Sequence, residues 1–305
     1  MTLFYTHPAA DAHINPPGHP EQVARLHAVI RALEGLALDR RACPLADEAE
    51  VLRCHPPAHL ARIKAAIPAQ GFAMLDGDTS LAPGSLTAAL AAIGGVNAAV
   101  DAVLAEGGNA FVAMRPPGHH AETATPMGFC LFGTVAIAAK RALDHHGLDR
   151  VAVLDFDVHH GNGTQDLLWS ERRAFFASTH QMPLYPGSGA ASERGAHGQM
   201  VNIPLPPRSS GQDARAAWRA ILNKMRVFAP QLVLVSAGFD AHHDDPLAEL
   251  DWTTEDFRLL TREICAAAKA CGAPLVSSLE GGYDLAALGA SARAHVEALM
   301  EAGNG

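Results

Sequence analysis

Residues 151–165 read VAVLDFDVHHGNGTQ, and the chain changes character within them. Val151–Phe156 is a short apolar run rich in β-branched residues, as in a strand buried on both faces of a parallel sheet. It runs straight into Asp157, His159, His160 and the turn-forming Gly161-Asn162-Gly163. A strand that ends in carboxylates and imidazoles places chemistry at its carboxyl end.

Four further segments share this character: Asn109–Met114, Ala174–Ser178, Gln231–Ser236 and Pro274–Leu279. Helical patterns separate them over Gly84–Leu104, Phe132–Asp144, Gln212–Phe228, Thr254–Ala270 and Leu285–Ala302, and earlier ones cover Glu21–Leu33 and Pro57–Ile67. Strands alternating with helices imply an α/β fold whose parallel sheet is covered on both faces. No repeat, low-complexity tract or long linker divides the chain, so one domain over residues 1–305 is expected.

Each strand is followed by polar residues. Arg115-Pro-Pro-Gly-His119-His120 follows the first and the Asp155–Gly163 stretch the second. Thr179-His180, Ala237-Gly-Phe-Asp240 and Glu280-Gly-Gly-Tyr283 follow the other three. Ligand sites of open α/β sheets lie outside the carboxyl ends of the strands, so these five ends are expected to form one site.

Hydrophobic residues make up 49% of the 305 residues and charged ones 18%, enough to build a large core. A net charge of −9 argues against a nucleic-acid partner held through its phosphates. No uninterrupted apolar run reaches the roughly 18 residues of a membrane span, and the first residues lack a signal-peptide pattern. A cytoplasmic protein without a membrane partner is expected, its five cysteines free thiols with no CxxC pair among them.

Asp157 and His159 lie two apart at one strand end, so their side chains can share a direction. With Asp240 they make two carboxylates and an imidazole, a set that leaves a catalytic zinc one open position and also tolerates iron(II) or cobalt. An isolated Asp-x-His pair is more often a strand-end cap; Asp240 and the His119-His120 pair shift the balance to metal. Two imidazoles fixed by a proline turn could serve as base and acid if their partners differ, and Asp155 and Asn162 are the candidate partners. Tyr283 could polarise a carbonyl, with Gly281-Gly282 as a flexible pair that lets the phenol swing. Phe129 and Tyr185 either wall a pocket or belong to the core, and their sequence context leaves both open. His145-His146 fit a helix end, and His242-His243 fit a loop.

In order along the chain stand RPPGHHA (115–121), GFC (128–130), LDFDVHHGNGTQ (154–165), YPGSG (185–189), AGFDAHHDDPLA (237–248) and LEGGYD (279–284). This series resembles the histone deacetylase superfamily, with HPE (19–21), Arg25 and DTSLAPGSLTAAL (78–90) extending the likeness. The resemblance implies a single-domain arginase/deacetylase fold with a central eight-stranded parallel sheet flanked by helices. It implies zinc on Asp157, His159 and Asp240, His120 as general base and acid, His119 with Asp155 as electrostatic partner, and Tyr283 on the substrate carbonyl. Gly128, Phe129 and Tyr185 correspond to tunnel walls, Asp78 to a rim carboxylate, and Arg25 to a residue near an acetate exit. A structural potassium ion would take Asp155, Asp157, His159, Ser178 and Thr179. Asn162 places the chain with class II enzymes and their bacterial relatives. Leu247 stands where a polyamine-selective member carries a glutamate. The implied substrate is an acetylated amine such as acetyl-lysine, and the alternative is an acetylpolyamine or another small-molecule amide or ester. An arginase-like ureohydrolase and a silent binding module are the rivals, and homo-oligomerisation stays open.

Overall fold

A computed structural model describes residues 1–303, so the last two positions of the expected domain lie outside the described residues. The chain opens with β1 (Thr2–Thr6), α1 (Val23–Ala32), β2 (Asp39–Ala42), α2 (Glu48–Val51) and α3 (Pro57–Ala66). A two-stranded antiparallel pair, β3 (Ala73–Met74) and β4 (Ser80–Leu81), precedes the long α4 (Ser85–Glu106). Then come β5 (Asn109–Val112), α5 (Thr134–Asp144), β6 (Val151–Asp155), α6 (Asn162–Leu168), β7 (Ala174–Gln181) and β8 (Met200–Leu205). The chain continues through α7 (Gly211–Phe228), β9 (Leu232–Ala237), α8 (Thr254–Ala270), β10 (Leu275–Leu279) and α9 (Leu285–Gly303).

Eight strands form one parallel sheet in the order β2-β1-β5-β10-β9-β6-β7-β8. The five strands expected from the sequence are its centre and near-centre, and every residue of β5, β6, β7, β9 and β10 is buried. Each fully buried Val or Leu there contributes roughly 1.5–3 kcal/mol relative to exposure. The third strand is longer than its apolar core suggests. It runs through Thr179 and His180 to Gln181, so these two residues lie within a strand rather than after it.

α4 is the one described helix long and apolar enough to cross a membrane, with a mean hydropathy of 1.7 and 72% of that window buried inside the fold. Asn97 and Asp101 interrupt its apolar residues, which is why no uninterrupted run reaches membrane length. All five cysteines are unpaired.

The strand order determines the site. The chain leaves β5, crosses to β6 on the far side of the β9–β10 pair, and later returns to fill the gap. The carboxyl ends of β5, β10, β9 and β6 therefore converge at the middle of the sheet, where open α/β folds bind ligands.

Candidate active site at the centre of the sheet

Asp157 and His159 follow β6, and Asp240 follows β9, its neighbour in the sheet. All three are buried, and one ligand atom from each lies within 4.8 Å of the others. His159 Nδ1 is 3.1 Å from Asp157 Oδ1 and 3.1 Å from Asp240 Oδ2. Atoms bound at about 2.0 Å in a tetrahedron lie roughly 3.3 Å apart, so the spacing suits one small divalent cation. The electrostatics also call for a positive charge. Burial disfavours a charged His159, yet hydrogen bonds and charge from the two carboxylates outweigh burial and raise its pKa to about 10. In the protein alone a proton provides that charge; a metal ion would replace it.

The backbone holds these carboxylates in place. Asp157 Oδ1 accepts from His159 N at 2.9 Å, Asp240 Oδ1 from Val158 N at 2.9 Å, and Asp157 Oδ2 from Gly281 N at 2.8 Å. A Cβ on Gly281 would overlap Asp240 Oδ2 and Asp157 Oδ2, and one on Gly238 would overlap Asp157 Oδ2. The Gly281-Gly282 pair thus serves close approach, not a swinging phenol. Tyr283 N is tied to Asp245 Oδ2 at 2.7 Å, and the side chain is only 9% exposed.

His119 and His120 sit in contact, ring centroids 4.0 Å apart, but with different partners. His119 Nδ1 lies 3.1 Å from Asp155 Oδ2; His120 Nδ1 lies 2.7 Å from Asn162 Oδ1. Burial works against charge on both. At His119 the charges of Asp157 and Asp155 overcome it and hold the pKa well above the usual value. At His120 the positive neighbours His119 and His159 reinforce it and hold the pKa well below. Burial lifts Asp155 to about 6 against the pull of His119, which leaves it ionised at neutral pH. The result is one cationic and one neutral imidazole side by side. The turn that carries them is anchored at both ends. Arg115 is fully buried on Glu21, and Glu280 Oε2 accepts from Gly118 N at 2.7 Å and His119 N at 3.2 Å.

Around this centre, Gly128 packs against the His120 ring so closely that a Cβ would overlap it. Phe129 meets Tyr283 edge to face at 5.8 Å, and Tyr185 meets His120 at 5.2 Å. Both rings therefore border the site, Phe129 half-buried and Tyr185 39% exposed. Leu247 and Tyr283 line a cavity of about 620 Å³ with residues of the 14–22 loop and the start of α1. Asp78 is half-buried beside them, accepting from Thr79 Oγ1 at 2.8 Å, and Thr79 Oγ1 in turn accepts from Phe129 N. Ser178 stands opposite Asp155 in the β6–β7 register, and the buried Thr179 hydroxyl has no hydrogen-bond partner among the described residues.

This geometry agrees with the comparisons. A model of the histone deacetylase domain matches residues 19–299. The chain belongs to the histone deacetylase family. A histone deacetylase-like amidohydrolase of Pseudomonas aeruginosa is 40% identical over 286 residues, covering 90% of this chain and 74% of that protein. Two crystal structures superpose closely. The HDA15 HD domain has a TM-score of 0.93 at 30% identity, covering 98% of this chain and 88% of that one. An acetylpolyamine aminohydrolase from Burkholderia pseudomallei has 0.87 at 29% identity, covering 98% of each. Family membership makes the chain a hydrolase acting on amides, on the arginase/deacetylase type of sheet.

Several groups serve the site by bracing it from below, a role that their motifs do not spell out. Glu21, Arg25 and Arg115 form a fully buried ion cluster under it. Arg25 Nε donates to Gly282 O and its Nη2 to Glu280 O, each at 2.6 Å, and Nη1 donates to Glu21. Three of its five N–H groups hold protein atoms, so the arginine braces the segment that leads into Tyr283. Glu122, just after RPPGHHA, and Asp245, inside AGFDAHHDDPLA, prove to be direct supports of Asn162 and Tyr283. The remaining histidine pairs stand outside the centre. His146 pairs with Asp101 at 2.7 Å. His242, His243 and Asp244 cluster closely enough to face one ion, but His242 Nδ1 already accepts from Asp244 N at 3.2 Å, which occupies its lone pair.

Proposed function

We propose that the chain hydrolyses acetylated aliphatic amines, with one zinc ion held by Asp157, His159 and Asp240. The observation that carries this reading is the adjacent imidazole pair, one facing the Asp155 carboxylate and the other the Asn162 amide, beside a buried three-ligand cluster. The bound cation would polarise the amide carbonyl and make water acidic enough to be deprotonated near neutrality.

The chain's own residues do the rest. His120, neutral and with Nδ1 engaged by Asn162, takes the proton of the attacking water on Nε2. The Tyr283 phenol, held protonated by burial and by the nearby Asp240 and Asp157 against the pull of Arg25, donates to the carbonyl oxygen as it gains charge. His119, kept cationic by Asp157 and Asp155, stabilises the same negative charge. His120 then returns its proton to the departing amine. Gly128, Phe129, Tyr185 and Leu247 line the acyl and side-chain path, with Asp78 at its rim.

A structural potassium ion on Asp155, Asp157, His159, Ser178 and Thr179 belongs to the same proposal. It is supported by the Asp155–Ser178 register and the unpartnered Thr179 hydroxyl. A ureohydrolase with two metal ions fits less well, because Asp155, the further carboxylate at that strand end, is committed to His119.

The test is a set of rates on acetyl-lysine peptides, acetylpolyamines and longer acyl-lysines with metal-quantified enzyme. Tyr283→Phe and His120→Ala are each expected to lower kcat on the best of these by about 10²–10³-fold. Wild-type rates in both variants would refute the assignment. The mouth favours a cationic substrate. The carboxylates of Asp78 and Asp76 both act on the Tyr185 phenol, whose pKa burial and these charges raise well above its ordinary value.

A further inference from the structure

The hydrogen-bond chain behind His120 does not stop at Asn162. Asn162 Nδ2 donates to Glu122 Oε1 at 2.8 Å and lies 3.4 Å from Met127 Sδ. An ionised carboxylate and a thioether can only accept, so both demand the NH₂ end of the amide. The carbonyl end is left to face His120 Nδ1, 2.7 Å away, and that nitrogen must then carry the proton.

An asparagine needs such a reference. A carboxylate in its place would accept from the imidazole in either orientation. An amide can turn over and present its NH₂ group instead. The turned amide would hold Nδ1 as an acceptor and leave the proton on Nε2, where a base needs a lone pair.

The loop that carries Glu122 is clamped to the helix that carries Asn162. Asn162 begins α6 and Asp166 lies one turn further on the same face. Asp166 Oδ2 accepts from Thr123 N at 2.8 Å and from Thr123 Oγ1 at 2.6 Å. Glu122 and Thr125 also exchange backbone hydrogen bonds, at 3.0 and 3.4 Å. One helix face thus grips the loop at two points and sets the distance between carboxylate and amide.

We propose that Glu122 is a positioning residue that fixes the His120 tautomer through Asn162, leaving Nε2 as the basic nitrogen. The proposal deepens the reading of His120 as the base and rests on it for its effect on rate, but the tautomer itself can be observed separately.

The test uses the metal-loaded enzyme and three variants, with kinetics and ¹⁵N NMR of the histidine rings. Glu122→Leu should lower kcat by about 10²-fold with little change in KM, and a signal for His120 protonated on Nε2 should appear. Glu122→Gln should fall between wild type and Glu122→Leu, because its carbonyl oxygen can accept from the same NH₂ group but its own amide can also turn over. Combining Glu122→Leu with Asn162→Asp should restore the Nδ1-protonated ring and most of the rate, since a carboxylate needs no reference. An unchanged His120 tautomer in Glu122→Leu would overturn the proposal, as would a loss that the double variant does not repair. Should Glu122→Leu fold poorly, Glu122→Gln decides alone: an undiminished kcat with no Nε2-protonated fraction of His120 in it would overturn the proposal. Failure of the underlying reading looks different, because His120→Ala would keep its rate while the tautomer still followed Glu122.

Discussion

The guanidinium carbon of Arg25 lies 4.8 Å from the centre of the Tyr283 ring, stacked behind the phenol from inside the protein. Both are buried, and Arg25 also holds the carbonyls of Glu280 and Gly282, the residues that lead into Tyr283. The arginine therefore fixes the segment from which the phenol projects and faces the ring with a cation.

Replacing it tests that role. Arg25→Met is expected to cost about 3–5 kcal/mol of folding stability, because it removes one of the two arginine partners of fully buried Glu21 and the N–H donors to two backbone carbonyls. Urea denaturation measures the loss. In the folded fraction kcat should fall with Tyr283 still present, showing that the phenol works only in this placement.

Gly281 offers a sharper test of the metal cluster. Its N–H binds Asp157 Oδ2, and any Cβ would meet the carboxylates of Asp157 and Asp240. Gly281→Ala should weaken zinc binding by about 10–100-fold in chelator competition. Gly77→Ala, where nothing lies within 4 Å, serves as the control and should bind zinc normally.

What could be read in advance followed the physics of burial. The five central strands announce themselves because residues hidden on both faces must be apolar over the whole run. Edge strands carry no such constraint. β2 reads Asp-Arg-Arg-Ala and is half-exposed, and β8 contains Pro204, tolerable only where a backbone donor can be spared. Neither was legible. The same split holds at the site. Groups that do chemistry cluster at strand ends in recognisable order, so Asp157, His159, Asp240, His119, His120 and Tyr283 could be named. Glu21 and Glu122 act only through residues brought to them by folding, from 94 positions away in the pairing of Glu21 with Arg115 and 40 in that of Glu122 with Asn162. Glu21 stands in the quoted HPE stretch, but nothing local tells the partner of either glutamate.

The mouth of the site makes an electrostatic prediction. Asp78 is half-buried, and burial together with Asp76 raises its pKa against the bond from Thr79. If it attracts a cationic substrate, Asp78→Asn should raise KM for a lysine-rich acetyl peptide by roughly 3–5-fold at low salt, an effect that screening removes. A neutral acetyl-lysine substrate should show a smaller change. Equal changes for both would mean that Asp78 holds the backbone of the substrate rather than its charge.

Acid should unfold the protein earlier than its carboxylates alone would. His295, on α9, is buried against Phe111, Phe156 and Phe239, with Thr261 Oγ1 2.7 Å from Nδ1 and Ser277 Oγ 2.9 Å from Nε2. Burial lowers its pKa from 6.5 to about 3, so the folded ring stays neutral while the unfolded ring protonates. Between those values the unfolded chain binds the extra proton, and stability falls as pH falls. The contribution is intact above pH 6.5 and declines by about 1.4 kcal/mol for each unit below it. His180, lowered chiefly by burial to about 3, acts in the same direction. Urea denaturation of wild type and His295→Gln at about pH 7, 6 and 5 isolates one such group. The variant should lose about 1 kcal/mol less than wild type per unit of acidification. Parallel curves would mean that His295 is already protonated in the fold.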